Sequence, residues 1–408
     1  MIDVVIYMVI REKYLKRMID AKDTEFIKVI TGVRRSGKST LLLMFKDYLV
    51  HHHVKEENII YINFESAMYD DIKNYKDLYQ YIQKRIKDSK VYLLLDEVQN
   101  VEAWEKAINS FKVDFDIDIY IIGSNAYLLS SELSTLLSGR YIEIKVYPLS
   151  FKEYLVFNQY DNQNIEDKFY EYLRYGGLPA ITLIKNNDEL VLSYLNDIYN
   201  TIVKKDIIDR NNIKDSSLLE NIIKYLVTNI GSPISANKIS DYLNSNKIVE
   251  KSNHQTIDNY LNMLEKSFIM YKADRTDIRS KSLLKTLGKY YISDTGIRNI
   301  ILGFRNIDEG HLLENVVYLE LLRRGYRVNI GKTNDYEVDF VAENPNDIKY
   351  FQVTKTLLSD EVKEREIRSL ESINDNYEKI ILTMDKPISR DYNGIKVMNI
   401  IEWLLIDE

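Results

Sequence analysis

An eight-residue run near the start of the chain combines residue types that can hold a chain of phosphates. It reads Gly32-Val33-Arg34-Arg35-Ser36-Gly37-Lys38-Ser39. Glycine lets backbone N–H groups turn toward a bound anion, and the amino end of a following helix favours negative charge. The lysine neutralises the β- and γ-phosphates, and the short serine hydroxyl suits Mg²⁺, which prefers hard oxygen ligands. The run therefore predicts a P-loop that binds ATP with Mg²⁺.

Eight residues of this loop are candidate nucleotide ligands. They are Gly32, Arg34, Arg35, Ser36, Gly37, Lys38, Ser39 and Thr40. Lys38 is also a candidate catalytic residue, and Ser39 is a candidate Mg²⁺ ligand. The alternative is a glycine-containing turn with an exposed lysine. It is the minor interpretation, because a β-type run precedes the loop and a helical pattern follows it.

Two carboxylates, Asp96 and Glu97, follow the apolar run Val91–Leu95. Ligands of open α/β sheets bind at the carboxyl ends of the strands, so this pair is expected beside the phosphate loop. Asp96 is predicted to hold Mg²⁺ through water, and Glu97 to act on the attacking water as a general base. In isolation an Asp-Glu pair is more often a capped strand end, but behind a P-loop it indicates hydrolysis.

Two further polar positions complete the predicted site. Gly123-Ser124-Asn125 follows another apolar run, so Asn125 is expected to reach the γ-phosphate or the attacking water. Arg140 is a candidate for stabilising the transferred phosphoryl group, either within its own chain or from a neighbouring subunit. A plain surface arginine is an equally compatible interpretation of Arg140.

The elements that must position these residues follow from hydrophobic periodicity. Five β-type runs alternate with helical segments, which predicts a parallel sheet with covering helices. The runs are 26–31, 58–64, 91–95, 117–122 and 141–146. One additional strand fits between the P-loop and Asp96, so the strand that carries Asp96 need not adjoin the P-loop strand.

Composition bounds the class of protein. The chain has 408 residues, enough for about two to four domains, and no cysteine, which excludes disulfides and thiolate metal sites. It contains no apolar run long enough to cross a bilayer, and we predict a cytoplasmic protein without a membrane partner. The net charge of −7 gives the chain as a whole no excess of positive charge that would indicate binding to nucleic acid.

Several of these motifs together resemble uncharacterised prokaryotic AAA+ ATPases of the additional-strand type. The motifs are Ile30–Thr40, Leu95-Asp96-Glu97-Val98-Gln99, Gly123-Ser124-Asn125, Ser138-Gly139-Arg140 and Gly176-Gly177-Leu178-Pro179. The resemblance implies binding of ATP and Mg²⁺ with hydrolysis at Lys38, Ser39, Asp96 and Glu97. It also implies an α/β fold in which a winged helix and a restriction-endonuclease-like domain follow the P-loop sheet. We predict these domains at 1–150 (P-loop core), 151–210 (helical lid or connector), 211–303 (winged-helix-like) and 304–408 (restriction-endonuclease-like).

The predicted winged helix leaves two kinds of partner open. Ser235 is expected to cap its second helix, and the polar run from Asn253 to Tyr260 starts a candidate recognition helix for double-stranded DNA. Basic residues of the predicted wing are candidates for phosphate contacts: Arg275, Arg279, Lys281, Lys285 and Lys289. Acidic residues are interspersed, and winged helices also contact proteins, so a protein partner is an equal alternative.

The C-terminal segment resembles a restriction-endonuclease-like core, with Glu314 and Glu320 on a helix and Asp339 on a strand. Gln352 stands where an active enzyme of that type has a glutamate, and Thr354 where it has a lysine; Lys355 is one position late. Loss of one anionic ligand and of the cation favours an inactive, structural or binding role.

Three hypotheses of function follow. The first is an ATP-driven switch that acts on DNA or on a protein partner. The second is an ATP-regulated DNA nuclease, and the third is a nucleotide-dependent scaffold or sensor without nucleic acid. Each of them is compatible with an oligomer.

Overall fold

The computed structural model describes residues 9–87, 89–123, 137, 139–159, 164–184, 187–248, 253–280, 282–304, 309–333, 335–386, 389 and 391–406. The chain divides into two compact units. The first extends to Val146 and includes Lys266–Phe268, and the second contains Tyr147–Glu265 and Ile269–Glu408. In the described part, no helix is both long and apolar enough to span a membrane.

A parallel sheet of five strands forms the centre of the first unit, as the sequence predicts. The strands are β1 (Ile27–Thr31), β2 (Ile59–Asn63), β3 (Val91–Asp96), β4 (Ile117–Ile122) and β5 (Tyr141–Lys145). Their order is β2-β3-β4-β1-β5, so β4 lies between the strand before the P-loop and the strand that ends in Asp96. Every residue of β1, β3 and β4 is buried, which explains why these strands are continuous apolar runs.

Helices cover this sheet and create two separate hydrophobic clusters. They are Glu12–Asp20, Lys38–His51, Tyr75–Gln83 and Trp104–Asp114, with short 3₁₀ turns at Glu56–Asn58, Ala67–Tyr69 and Val98–Asn100. One cluster joins β-strand residues to Leu78, Ile108 and Phe111. The other contains Met18 and Phe45, so it includes the helix that follows the P-loop.

The second unit begins with helices, as the sequence predicts for the segment 151–210. They are Phe151–Phe157, Ile165–Tyr175, Ile181–Ile184 and Asp188–Thr201, and a π-helical stretch follows at Ile202–Asp209. Three more helices follow along the chain: Ser216–Thr228, Ala236–Ser245 and His254–Lys266. Ser235 caps the second of these by accepting from the Lys238 amide at 3.2 Å, which confirms the predicted cap.

A mixed sheet organises the rest of the second unit. Its nine described strands are β6 (Pro233–Ile234), β7 (Met270–Asp277), β8 (Ser282–Ile292), β9 (Arg327–Lys332), β10 (Glu337–Asn344), β11 (Asp347–Thr354), β12 (Glu378–Thr383), β13 (Asp391–Tyr392) and β14 (Ile395–Asn399). They lie in the order β13-β14-β12-β11-β10-β9-β7-β8-β6. Helices Thr295–Leu302, Glu309–Arg323, Asp360–Glu371 and Ile400–Leu405 accompany them.

The hairpin β7–β8 shares this sheet with the C-terminal strands. β7 pairs with β9 in parallel, with Arg275 opposite Ile330 and Asp277 opposite Lys332. A hairpin at 270–292 and strands from 327 onward therefore belong to one hydrogen-bonded layer. The winged-helix and restriction-endonuclease-like assignments, and the boundaries of the four predicted domains, stay predictions.

Candidate nucleotide-binding site

The predicted phosphate loop connects the end of β1 to the helix Lys38–His51. Gly32 has φ 138°, and a Cβ at this position would lie 2.0 Å from the carbonyl oxygen of Val146, so only glycine fits. Gly37 precedes the helix with φ 94° and provides no side-chain cap. The first N–H groups of the helix therefore point into the loop without a capping side chain, as an anion site requires.

Lys38 is the charged centre of this loop. Its residue surface is 5% exposed, and its Nζ donates to the carbonyl oxygens of Gly32 and Val33 at 2.9 Å each. The loop thus wraps around the ammonium group. A phosphate that entered the loop would meet this cation together with the backbone amides.

The other loop residues differ in their surroundings. Arg34 lies 3.8 Å from the carboxylate of Glu65, and Arg35 is exposed with φ 65°, in the left-handed region that most residues avoid. Ser36 is fully buried, whereas Ser39 and Thr40 are exposed at the start of the helix. The eight predicted ligands therefore lie on one continuous loop and helix start; their contact with nucleotide stays a prediction.

Asp96 ends β3 at the carboxyl edge of the sheet. It is fully buried, its Oδ1 has no hydrogen-bond partner among the described residues, and Tyr61 donates weakly to Oδ2 at 3.5 Å. Burial raises the pKa of Asp96 to about 6, and the charge of Glu97 acts in the same direction, while Ser39 and Lys38 oppose it. A carboxylate oxygen without a partner beside a serine hydroxyl is a suitable donor set for Mg²⁺.

Glu97 has an unusual backbone for a residue with a side chain. Its φ of 55° is left-handed, and its carbonyl accepts from the Asn100 amide at 3.1 Å, which closes the 3₁₀ turn Val98–Asn100. Gln99 donates from Nε2 to the Glu97 carboxylate. Strained conformations of this kind concentrate at functional sites. Sequence reasoning identified Glu97 but assigned no role to Gln99.

Arg140 does not join this arrangement. The Arg140 carbonyl accepts from the Ile27 amide at 2.9 Å, at the amino end of β1, whereas the phosphate loop follows its carboxyl end. A five-residue strand spans about 16 Å, so the backbone of Arg140 lies about that far from the phosphate loop, at the amino ends of the strands. Asn125 lies outside the described residues.

Sequence reasoning missed Arg11, which reaches the phosphate loop from the residue before the helix Glu12–Asp20. It is 3% exposed, and its Nη1 donates to the Ser36 carbonyl at 2.9 Å. The two residues are 25 positions apart. In the sequence alone, Arg11 is indistinguishable from any other basic residue beside a helix.

In the second unit, Lys289 occupies the centre of an acidic cluster. Its Nζ lies 3.1 Å from Glu314, 3.1 Å from Glu337 and 3.6 Å from Asp339. The expectation that Lys289 contacts DNA phosphates is therefore wrong, because its side chain is only 4% exposed and is paired with carboxylates. Arg275 is likewise paired with Glu337 at 3.2 Å and 12% exposed, while Lys281 lies outside the described residues.

Burial and the neighbouring Glu314 carboxylate raise the pKa of Asp339 to about 7, and Lys289 acts against that rise. Burial alone would lower the pKa of Lys289, but the surrounding carboxylates raise it above its usual range. Lys289 therefore stays protonated, and its charge stabilises the carboxylates of the cluster where bulk water is excluded.

The residues compared with a nuclease centre are engaged in other contacts. The Gln352 side chain accepts from the Asp339 amide at 2.6 Å and donates to Glu366 at 2.6 Å. Glu320 pairs with Arg323 and Arg324, and Lys355 is exposed and pairs with Glu309. Across the described ranges, no group of three or more His, Asp or Glu side chains is placed to hold a metal ion.

The segment Gly176-Gly177-Leu178-Pro179 has a structural explanation. Asp294 is fully buried, accepts from the Gly177 amide at 2.7 Å and caps the helix Thr295–Leu302 through the amides of Gly296 and Ile297. A Cβ at Gly176, where φ is 81°, would lie 2.0 Å from Asp294 Oδ1. The glycines thus let the backbone approach a buried carboxylate.

Comparison with known proteins places these observations in a family. A profile described as an AAA domain matches residues 24–155, and one described as a domain of unknown function matches residues 166–308. An uncharacterised protein of Haemophilus influenzae is 45% identical over 402 residues, covering 98% of this chain and 99% of that protein. A second, from Methanocaldococcus jannaschii, is 33% identical over 369 residues, covering 85% and 78%.

Among solved structures, the Walker-type ATPase of Pyrococcus abyssi aligns over 72% of this chain and 95% of its own, with 16% identity and a TM-score of 0.49. That likeness is too low to carry an argument about function. The two uncharacterised proteins, at 45% and 33% identity over most of their lengths, show the family. The chain belongs to the same family as these bacterial and archaeal proteins, and its residues 24–155 are an AAA-type P-loop ATPase domain.

Proposed function

We propose that this chain binds ATP together with Mg²⁺ and hydrolyses it to ADP and phosphate. The observation that carries the proposal is the presence, in one unit, of a buried Lys38 ammonium inside the loop and a buried Asp96 Oδ1 that has no hydrogen-bond partner among the described residues. Buried polar atoms without a partner are rare in folded proteins, and a bound cation would supply one here. A cation beside a loop of amides in turn favours a triphosphate.

Each residue has a distinct task in this reaction. Lys38 exchanges the carbonyls of Gly32 and Val33 for phosphate oxygens when ATP enters. Ser39 and Asp96 are the proposed Mg²⁺ ligands, and the chemistry that a bound Mg²⁺ supplies is neutralisation of charge on the phosphate oxygens. Glu97 accepts a proton from the attacking water, and Gln99 orients its carboxylate.

Arg140 is proposed to act on the site of a neighbouring subunit. Its position at the amino edge of the sheet supports this choice over action within its own chain, because the strand length separates it from its own loop. An arginine supplied by a neighbouring molecule stabilises charge on the transferred phosphoryl group. This role implies an oligomer in the active state.

The variant Glu97→Gln tests hydrolysis separately from binding. We expect it to bind a fluorescent ATP analogue with nearly wild-type affinity, while release of phosphate falls by about 100-fold or more. A wild-type protein that binds no ATP would refute the proposal. Undiminished turnover in Glu97→Gln would remove Glu97 as the base and leave ATP binding intact.

We further propose that nucleotide turnover drives a switch that acts on DNA or on a protein. The exposed start of the helix His254–Lys266, with Asn253, His254 and Gln255, supports a macromolecular contact of this second unit. A DNA titration over a range of salt concentrations separates the two partners. Salt-dependent binding supports DNA; flat curves at low salt support a protein partner or a scaffold.

Nuclease activity is the less favoured alternative. An active centre of that type needs its carboxylates for a metal ion, whereas Glu314 and Asp339 surround Lys289. Incubation of plasmid DNA with Mg²⁺ or Mn²⁺ tests this point. Cleavage that disappears in Asp339→Ala would restore the nuclease hypothesis.

A further inference from the structure

Arg11 is a buried cation that contacts the back of the phosphate loop. Its Nη1 lies 2.9 Å from the Ser36 carbonyl oxygen. The guanidinium carbon lies 4.4 Å from the ring centre of Tyr14, which is 3% exposed. Arginine is almost never buried unless it is paired, and the Ser36 carbonyl is one of the groups that this guanidinium contacts.

The position of Arg11 is fixed by packing. It immediately precedes the helix Glu12–Asp20, whose Tyr14 and Met18 share one hydrophobic cluster with Leu41 and Phe45 of the helix Lys38–His51. The same two helices therefore hold Arg11 on one side and the phosphate loop on the other. Because closely packed interiors resist compression, this packing holds Arg11 at a fixed position relative to the loop.

The hydrogen bond from Arg11 orients the peptide between Ser36 and Gly37. In a planar trans peptide the C=O and N–H groups point in opposite directions, and the described residues contain no cis peptide. When the Ser36 carbonyl faces Arg11, the Gly37 N–H must face away from it. Gly37 is the last residue before the helix that opens the predicted anion site.

Ser36 has little else to hold this orientation. Its hydroxyl is buried without a hydrogen-bond partner among the described residues, and its amide reaches the Val33 carbonyl only at 3.3 Å. The contact with Arg11 is shorter and involves a charged donor, which makes it roughly twice as strong as a neutral one.

We propose that Arg11 is a positioning residue of the nucleotide site, which turns the Gly37 amide toward the β-phosphate of bound ATP or ADP. This inference rests on the proposed ATP binding. Arg11 acts through the Ser36 peptide and needs no contact with the nucleotide itself. Its buried charge also adds to the positive field behind the loop.

The full chain carrying Arg11→Met tests this role, because methionine retains an apolar stem without the donor. We expect ATP and ADP to bind about 10- to 100-fold more weakly. KM for ATP should rise in proportion while kcat at saturating ATP stays within about twofold, since the β-phosphate is held alike in the ground and transition states. Arg11→Lys, which retains a charged donor, should recover part of the affinity. Arg17→Met, on the helix that Arg11 precedes, is the matched control.

Failure of this inference is distinguishable from failure of the proposed function. If the wild-type chain binds no ATP, the proposed function itself is wrong. If the wild type binds ATP and folded Arg11→Met binds it equally well, only the role of Arg11 is refuted. A drop in kcat with unchanged KM would also refute it. Should Arg11→Met fail to fold by circular dichroism, Arg11→Lys decides: affinity below wild type supports the role, and wild-type affinity refutes it.

Discussion

The Nζ of Lys38 lies 2.9 Å from the carbonyl oxygens of both Gly32 and Val33, so two groups of the loop itself solvate a buried ammonium. These hydrogen bonds keep the lysine extended into the loop before any ligand arrives. The charge is therefore already placed in the loop, where ATP displaces these two carbonyls. Preorganisation of this kind reduces the cost of ordering a side chain on binding.

Removal of this ammonium should abolish nucleotide binding. We expect Lys38→Ala to weaken ATP binding by about 100-fold or more, because the β- and γ-phosphates lose their charged donor. Titration with a fluorescent ATP analogue measures this loss. Lys46→Ala, on the same helix, should bind normally, and an Lys38→Ala protein with wild-type affinity would contradict the assignment.

Lys289 should be important for the stability of the second unit. We expect Lys289→Met to lower the free energy of unfolding by about 3–5 kcal/mol, because three carboxylates then lose their shared cation. Lys272→Met is the control: its ion pair with Asp274 is 38% and 50% exposed, and its loss should cost less than about 1 kcal/mol. Urea denaturation measures both, and equal losses would show that Lys289 is not the counter-ion.

Asp294 predicts a defined dependence of stability on pH. Burial raises its pKa in the folded chain from 3.8 to about 6, so the folded state binds this proton more tightly than the unfolded state. The resulting stability is present below pH 3.8 and is lost as the pH rises through about 6. This group alone should contribute a decrease of up to about 3 kcal/mol in the free energy of unfolding.

The Asp294→Asn variant isolates that contribution, because Asn does not ionise while the other buried carboxylates titrate in both proteins. Unfolding curves from about pH 4 to about pH 7 should therefore show a shallower decrease for the variant. The variant should also lose stability at every pH, since an amide cannot accept all of the hydrogen bonds that Asp294 accepts. Parallel pH profiles would disprove the assignment.

The position of Arg140 predicts complementation between inactive variants. Arg140→Ala should hydrolyse ATP more slowly, and Glu97→Gln should be nearly inactive. If the arginine acts on a neighbouring subunit, some interfaces in a mixture of the two variants are active. There the Arg140→Ala subunit provides an intact Glu97, and the Glu97→Gln subunit provides an intact Arg140. Phosphate release by the mixture should then exceed the sum of the two variants alone; simple additivity would contradict action between subunits.

The phosphate loop and its sheet could be predicted because their signals are local. Glycines, Lys38 and Ser39 are consecutive, and the strands are buried on both faces, so they appear as apolar runs. Predicted strand ends differ from the observed ones by at most one residue: Phe26, for example, is 45% exposed and precedes β1. Ends of elements depend on hydrogen bonds that hydrophobicity does not encode.

Contacts between distant residues could not be predicted in this way. Asp294 and Gly177 are 117 positions apart, so the sequence did not show that the glycine pair lies against a buried carboxylate. Lys289 looked like one more basic residue of a wing, because sequence spacing does not show that β8 turns it toward Glu314. Its partners come from a helix and from β10, and only the assembled sheet brings them together.

The parallel pairing of β7 with β9 limits where the chain can be divided. A protein truncated after residue 303 would retain the hairpin β7–β8 but lose β9, whose backbone forms hydrogen bonds with β7 along Arg275–Asp277. The exposed edge would offer unpaired amides and carbonyls to any other extended strand, which favours aggregation. The region around the hairpin is consequently best expressed and studied with everything up to the end of the C-terminal strands attached.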